Sequence, residues 1–203
     1  MKQKILIIMF CMSGLPVYLD AQKISYEIST GLSLASYSKD KEDQECSPTR
    51  AGFISGLAFN IKTGKYWAIQ PGINYVQKGG TEQDSTSPTK YSTTLNYLEL
   101  PVNIRYSQRE RCFFGFGLFA SYGLSGNIKA RKGDAAGEVK VKFGDAEDEL
   151  KPVETGINIF MGYRLPSNIF FAFNINGSFN NISNVPGGYF SNSYMGIRVG
   201  YVF

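Results

Sequence analysis

The chain has 203 residues, of which 43% are hydrophobic and 19% charged, with a net charge of +4, and these values fit one folded domain or at most two. Histidine is absent, which excludes Ser-His-Asp and Cys-His nucleophile systems and histidine zinc sites. No cluster of Lys and Arg is interleaved with aromatic residues, so nothing indicates that the chain binds nucleic acid.

The first 21 residues have the pattern of a secretory signal. Two lysines precede an apolar run over residues 5–12, and the segment ends at the small residue Ala21. A membrane-spanning helix needs about 20 predominantly apolar residues, and polar residues interrupt this run. We expect residues 1–21 to be cleaved and residues 22–203 to form the mature domain.

Apolar and small or polar side chains alternate in eight later segments. A period of two residues indicates β-strands, and no stretch has a helical period. In chain order the segments are SYEISTGLSL (25–34), GFISGLAFNIK (52–62), YWAIQPGINYVQK (66–78), YLELPVNIRY (97–106), CFFGFGLFASYGL (112–124), GINIFMGYRL (156–165), FFAFNINGSFN (170–180) and SYMGIRVGYVF (193–203).

The connections between these strands alternate in length. Short turns at one end and long loops at the other are typical of an up-and-down barrel in a bacterial outer membrane. The sequence therefore predicts an all-β, eight-stranded antiparallel transmembrane β-barrel. The short connections are residues 63–65, 108–111 and 166–168, and the long ones are 38–50, 79–93, 127–152 and 182–191.

A soluble barrel of the lipocalin kind, acting as a periplasmic ligand carrier, would show the same alternation with its apolar face inside. Here the apolar face is bulky, with Trp67, Phe116 and Phe173 among its members, while the other face is largely Gly, Ala, Ser and Asn. Because the interior of eight strands only has room for small side chains, we expect the bulky face to point toward lipid.

Large aromatic residues on the apolar face collect at the short-turn end of the strands. We expect them to form an aromatic girdle at one membrane interface. The predicted girdle consists of Trp67, Tyr106, Phe114, Tyr163, Phe171 and Phe203.

Three segments resemble the PorT-like family of outer-membrane β-barrels: INYVQKGG (73–80), YLELPVNIRY (97–106) and MGIRVGYVF (195–203). The resemblance spans residues 22–203. It implies an eight-stranded barrel in the outer membrane with a structural or secretion-accessory role, and it implies no catalytic residues. The closing strand also resembles the signal read by the barrel-assembly machinery, carried by Ile197, Val199, Tyr201 and Phe203.

Charged residues on the predicted inner face suggest two hypotheses. They could form a path for protons or ions, or a paired network that plugs the lumen. We favour the plug, because buried charges persist when paired and eight strands leave no open channel. The predicted network contains Glu27, Glu99, Arg105, Arg164 and Arg198.

The sequence predicts no catalytic, cofactor or metal site. An outer-membrane enzyme working without histidine is the third alternative, after the barrel and the carrier. The acidic cluster at residues 145–149 does not have the spacing of a calcium loop. We expect the chain not to be an enzyme.

The longest loop, 127–152, contains a second pattern. The segment IKARKGDAAGEVKVKF (128–143) alternates on both sides of GDAAG, which predicts a hairpin protruding beyond the membrane. Its exposed edge could serve adhesion or dock a protein partner, or the hairpin could simply shield the barrel mouth. The other expected partners are outer-membrane lipid and lipopolysaccharide.

The two cysteines of the mature domain are predicted to stay reduced. Cys46 falls in a long loop and Cys112 at the short-turn end, so a membrane-spanning strand separates them. A disulfide needs Cα atoms within about 7 Å of each other.

Overall fold

The computed structural model describes residues 24–39, 47–83, 89–109, 111–133 and 135–203. No helix in these ranges is long and apolar enough to cross a membrane. The strands are β1 (Ile24–Ser38), β2 (Arg50–Lys62), β3 (Trp67–Gln83), β4 (Lys90–Gln108), β5 (Cys112–Lys132), β6 (Ala135–Val141), β7 (Val153–Arg164), β8 (Ile169–Ser178) and β9 (Ser191–Val202).

Eight of these strands close into a ring. Each pairs antiparallel with its neighbour in the order β1, β2, β3, β4, β5, β7, β8, β9, and β9 closes on β1 with Glu27 opposite Val202 and Ser38 opposite Ser191. Among the described strands, β6 pairs with β5 alone and lies outside the ring. The all-β, eight-stranded antiparallel barrel is therefore confirmed, and its closure satisfies backbone hydrogen bonds without a long apolar run.

The bulky apolar side chains point outward. The exposed fractions of Trp67, Phe116 and Phe173 are 47%, 53% and 37%, whereas Glu99 and Arg105 are 0% and 5% exposed. A soluble carrier would need the opposite orientation, with the apolar face around a ligand. The geometry therefore does not favour the carrier alternative.

The inner face is bulkier than the sequence analysis expected. Glycines make this possible, because a Cβ atom on Gly115 would lie 2.5 Å from the Phe160 ring and one on Gly162 would lie 2.3 Å from the Phe113 ring. Because glycine has no side chain, a glycine on one strand leaves space for an aromatic ring of the neighbouring strand. The inward aromatic residues of this kind are Phe113, Phe119, Phe160 and Phe170.

Strands β3, β4 and β5 are longer than predicted at the long-loop end. Residues 79–93 were expected to form a loop, but β3 continues to Gln83 and β4 begins at Lys90, and the two pair along this stretch. The predicted hairpin within 127–152 is also present, since β5 runs to Lys132 and pairs with β6. These strands form a four-stranded sheet above the barrel, here called the outer extension: residues 79–83, 90–96, 125–132 and 135–141.

The outer extension begins where the outward side chains change from apolar to polar. On β4 the outward face passes from Leu100 and Leu98 to Asn96 and Ser92. A register shift between Asn96 and Tyr97 marks the same level in the β4–β5 ladder. The apolar band suited to lipid therefore stops below the extension.

Candidate functional site

The lumen near the short-turn end holds one buried ion pair. Arg105 Nη1 contacts Glu27 Oε1 and donates a hydrogen bond to Asn60 Oδ1 at 3.0 Å. Gln70 Nε2 donates to the other Glu27 oxygen at 3.2 Å. The Arg105 guanidinium also lies 3.9 Å from the centre of the Phe113 ring. Every charge in this inner cluster thus faces an opposite charge or a polar partner.

A second cluster lies nearer the outer end of the lumen. Lys78 Nζ is 3.2 Å from Glu99 Oε2 and 3.0 Å from Glu154 Oε1, and all three side chains are at most 1% exposed. Tyr194 donates to Glu99 at 2.8 Å, and Asn192 donates to Glu154 at 3.0 Å. One ammonium group therefore holds two buried carboxylates together.

Aromatic rings enclose the same ammonium group. Lys78 Nζ lies 4.9 Å from the Tyr97 ring centre, 4.6 Å from that of Phe119 and 5.4 Å from that of Tyr194. Ring faces attract a cation within about 6 Å. The cluster is therefore closed by packing as well as by charge.

Arg198 lies between the two clusters. It borders two small cavities of about 20 Å³ each, one shared with Glu27 and the other with Glu99. A cavity of this size has room for about one water molecule. Arg164 instead borders the cavity of about 420 Å³ at the short-turn mouth, with Glu27 and Arg105.

The structure brings only some of the predicted lumen residues into contact with one another. Glu27 and Arg105 meet directly, whereas the cation that Glu99 meets is Lys78. Sequence reasoning missed Lys78 and Glu154. The period of two could have found both, because Lys78 continues the inward series of β3 after Asn74, and Glu154 precedes the inward Asn158 of β7 by four residues.

The predicted girdle residues lie side by side on the outer surface at the short-turn end. Trp67 is opposite Tyr106 and Tyr106 opposite Phe114, with ring centres 5.1 Å apart in each pair. Tyr163 is opposite Phe171, on the far side of the ring of strands. Rings at this level suit the interface between lipid and water.

The closing strand presents its predicted assembly residues outward. Ile197, Val199, Tyr201 and Phe203 are all exposed, and Phe203 stacks on Tyr26 of β1 with ring centres 4.9 Å apart. The Phe203 amide also donates to the Tyr26 carbonyl at 2.8 Å. The last residue therefore helps to close the barrel.

The inward face of the outer extension forms one wall of a cleft at the outer mouth, of about 740 Å³, here called the outer cleft. Its wall includes Tyr91, Ile128, Val139 and Val141, and Phe190 lies among the residues that complete it. A cleft of this size with apolar walls is suited to binding.

The outward face of the outer extension is basic. Residues directly opposite in antiparallel strands share a face. Lys90 is opposite Arg131, and Lys129 lies between Ser92 and Glu138. Lys140 lies on the same face, opposite Asn127. Four cations therefore accompany one carboxylate just above the apolar band.

Tyr37, at the outer end of β1, borders the outer cleft and donates a hydrogen bond to Glu82 at 3.2 Å. Burial and, second to it, the negative charge of Glu82 together raise the pKa of Tyr37 to about 12. Lys39 pairs with Glu82 at 2.5 Å. Tyr37 therefore remains a hydrogen-bond donor at neutral pH.

The described residues offer no set of three or more His, Cys, Asp or Glu side chains that could hold a metal ion. Cys112 is exposed at the start of β5 and free of a disulfide. Cys46, the second cysteine of the predicted pair of free thiols, lies outside the described residues.

A family model described as "Outer membrane protein beta-barrel domain" matches residues 20–184. No curated protein sequence matches the chain.

Solved structures with the same architecture cover nearly the whole chain. The crystal structure of Ail, the attachment invasion locus protein of Yersinia pestis, in complex with the heparin analogue sucrose octasulfate, is 11% identical, with a TM-score of 0.51 over 89% of this chain and 99% of Ail. The crystal structure of Neisserial surface protein A is 9% identical, with a TM-score of 0.50 over 89% of this chain and 99% of that protein. At these identities the similarity shows the fold alone.

Proposed function

Since this chain belongs to the outer membrane protein beta-barrel domain family, and is thus an outer-membrane protein of the Gram-negative envelope, we propose that it acts at the cell surface. In this proposal it docks a protein partner through its outer extension and loop 127–152. Adhesion and accessory work in secretion are both forms of such docking. The PorT-like resemblance favours the secretion role within this proposal.

The observation that carries the proposal is the form of the outer extension. It continues the barrel wall beyond the apolar band, so membrane insertion does not require it. It also leaves apolar side chains uncovered, with Val139 67% exposed beside the outer cleft. Exposed apolar surface rimmed by polar residues marks interaction sites.

Photo-cross-linking in intact cells tests this docking. A cross-linking residue placed at Val139 should capture a protein, and one placed at Val185 should not, although Val185 is also exposed (56%) and lies in another outer loop. Replacing residues 129–138 by Asn-Gly, a two-residue turn, should abolish the capture while the barrel still folds. Equal capture at both sites, or none at Val139, would overturn the proposal.

A second candidate function is contact with lipopolysaccharide. The basic face formed by Lys90, Lys129, Arg131 and Lys140 lies just above the apolar band, where we expect the phosphates and sugars of lipopolysaccharide. Lys90 and Arg131 are directly opposite, and like charges in that position repel unless an anion lies between them. Ail, which shares the fold, was crystallised with a sulfated sugar analogue. Binding of purified lipopolysaccharide should weaken when Lys90 and Arg131 are both replaced by Gln.

We further propose that the lumen is a plug and that the chain is not an enzyme. The paired charges of both clusters and the absence of histidine support this. Protein reconstituted into planar bilayers should show no stable ion conductance. Steady open-channel currents that respond to Glu99→Gln would overturn the plug.

Export and assembly are proposed on the sequence patterns. Residues 1–21 should be missing from the mature protein, leaving a barrel domain of 22–203, which mass spectrometry of the purified protein would test. The outward series Ile197, Val199, Tyr201 and Phe203 should be read by the barrel-assembly machinery. Phe203→Ala should therefore slow appearance of the folded form in cells more than Phe179→Ala, which removes an even more exposed phenylalanine outside the closing strand.

A further inference from the structure

We propose that β6 pairs antiparallel with β6 of a second copy of this chain inserted in an opposing membrane, so that the protein joins two surfaces by self-recognition. This inference rests on the proposed docking at the outer extension and names the partner. The β6 edge is self-complementary in hydrogen bonding, charge and shape.

The hydrogen-bonding edge of β6 is open. The strand pairs with β5 on one side, from Lys132 opposite Ala135 to Gly126 opposite Val141, and with no described strand on the other. A two-residue connection makes Lys132 and Ala135 a hydrogen-bonded pair, and such pairs alternate along the ladder. The backbone N–H and C=O groups of residues 136, 138 and 140 therefore point to the open edge.

The open edge has a definite length. Beyond Val141 it is covered, because Leu150 donates to the Lys142 carbonyl at 3.0 Å and accepts from the Gly144 amide at 2.9 Å. At the other end the strand stops at the hairpin connection after Lys132. A partner strand thus has residues 135–141 to pair with.

Charge selects one register of self-pairing. If Val139 lies opposite Val139 of the second copy, Glu138 of each chain faces Lys140 of the other, because the two residues are two apart on one face. This register also matches the phase of the open hydrogen-bonding groups. Sliding one strand by two residues, the smallest shift that keeps the hydrogen-bonding phase, would place Glu138 opposite Glu138, and like charges directly opposite are destabilising.

The inward face of the same register is apolar. Val139 meets Val139 of the second copy, and Val141 meets Gly137, beside the outer cleft. This covers a valine that is otherwise 67% exposed. The two central valines and the two Glu–Lys pairs therefore favour the same register of self-pairing.

The direction of the strands requires opposing membranes. Two barrels in one membrane have the same orientation, so their β6 strands run parallel and cannot form this antiparallel pair. Two barrels in facing membranes run antiparallel.

Vesicle clustering with exchanged charges tests the pairing. The full chain is reconstituted into two populations of lipid vesicles labelled with a donor or an acceptor dye, and clustering is measured by energy transfer. Wild-type vesicles should cluster. Vesicles carrying Lys140→Glu, or carrying Glu138→Lys, should each cluster with themselves at least roughly tenfold less, because both attractive pairs become repulsive.

Mixing the two variants supplies the decisive comparison. Lys140→Glu vesicles should cluster with Glu138→Lys vesicles, since every facing pair is then attractive again. The double variant with both charges exchanged should cluster with itself. Glu147→Lys, an equal charge change in the exposed loop after β6, should leave wild-type clustering unchanged. Heat-dependent gel migration of each variant verifies that the barrel is folded.

Two results would overturn self-pairing: single variants that cluster like the wild type, or mixed variants that cluster no better than each alone. The outcome is separable from the docking proposal. If vesicles fail to cluster but the Val139 cross-link captures a different protein in cells, docking stands and self-pairing fails. If the captured protein is this chain, and clustering follows the charge exchange, both stand.

Discussion

The lumen and the outer extension use charge in opposite ways. Inside the barrel, three carboxylates (Glu27, Glu99, Glu154) accompany three cations (Lys78, Arg105, Arg198), and the closest pairs are buried. On the outward face of the extension, four cations accompany Glu138 alone, and two of the cations lie directly opposite each other. In the lumen the numbers of positive and negative charges are equal. The outer extension has an excess of positive charge, an open strand edge and exposed apolar side chains.

This difference separates stability from recognition. Buried charges that pair with one another contribute to the stability of the barrel and offer nothing to a partner, although Arg198 Nε has no hydrogen-bond partner among the described residues. An extension with an open edge contributes little to folding and keeps its binding capacity. We therefore expect lumen substitutions to lower the free energy of unfolding, and extension substitutions to change binding while leaving that free energy nearly unchanged.

The largest expected loss follows from removing the central cation of the lumen. Lys78→Met should lower the free energy of unfolding by about 3–5 kcal/mol, because it leaves Glu99 and Glu154 buried together without a counter-charge. Urea titration of the refolded protein in detergent micelles measures this.

Two control variants give that result its meaning. Lys78→Met combined with Glu154→Gln should recover part of the loss, since one buried carboxylate charge is removed with the cation. Lys140→Met on the outer extension should change the free energy by less than about 0.5 kcal/mol. A loss below about 1 kcal/mol for Lys78→Met would contradict the division between the two regions.

A smaller loss is expected at the inner cluster. Glu27→Gln should lower the free energy of unfolding by about 2 kcal/mol, because Arg105 loses its counter-charge but keeps Asn60 and the Phe113 ring as partners. The pair also borders the mouth cavity, where water screens the remaining charge. The same urea titration applies, and a loss equal to that of Lys78→Met would show that the mouth gives no screening.

The barrel itself could be predicted from sequence because lipid and a narrow lumen impose different side chains on alternate positions. The series Leu98, Leu100 and Val102 against Glu99 and Asn103 illustrates this, and the structure has it on opposite faces. Where both faces are apolar, as in CFFGFGLF at the start of β5, a period of two cannot show that Phe113 fits inside. Whether the Phe113 ring fits inside depends on whether a glycine lies opposite it on the neighbouring strand.

The outer extension could not be predicted in full for a related reason. Above the apolar band both faces of a strand can be polar, so TEQ and KYSTT at residues 81–83 and 90–94 carry no alternation. The hairpin at 128–143 was visible only because Ile128, Val139 and Val141 keep one apolar face. The contact of Lys78 with Glu99 and Glu154 was missed because the third predicted strand ended at Lys78.

At high pH the outer end of the barrel should weaken through Tyr37. Its pKa is raised from 10 to about 12 in the folded protein, so the stability it contributes is complete below pH 10 and is lost as the pH rises toward 12. The loss between pH 9 and 12 should be about 2 kcal/mol larger in the wild type than in Tyr37→Phe. Parallel urea titrations at the two pH values measure it, and an identical pH dependence in both proteins would refute the role of Tyr37.

The smallest expected effect is a gain, on the outward face of the extension. Lys90→Glu replaces a repulsive pair with Arg131 by an attractive one, so it should raise the free energy of unfolding by about 0.5 kcal/mol in detergent at low salt. The gain should vanish near 1 M salt, where the screening length is about 3 Å. In micelles containing lipopolysaccharide the sign should reverse, because the anion then stabilises Lys90 and Arg131 together. If Lys90→Glu instead lowered the free energy of unfolding in plain detergent, Lys90 would contribute to folding stability. The charges of the lumen and of the outer extension would then no longer differ in their roles.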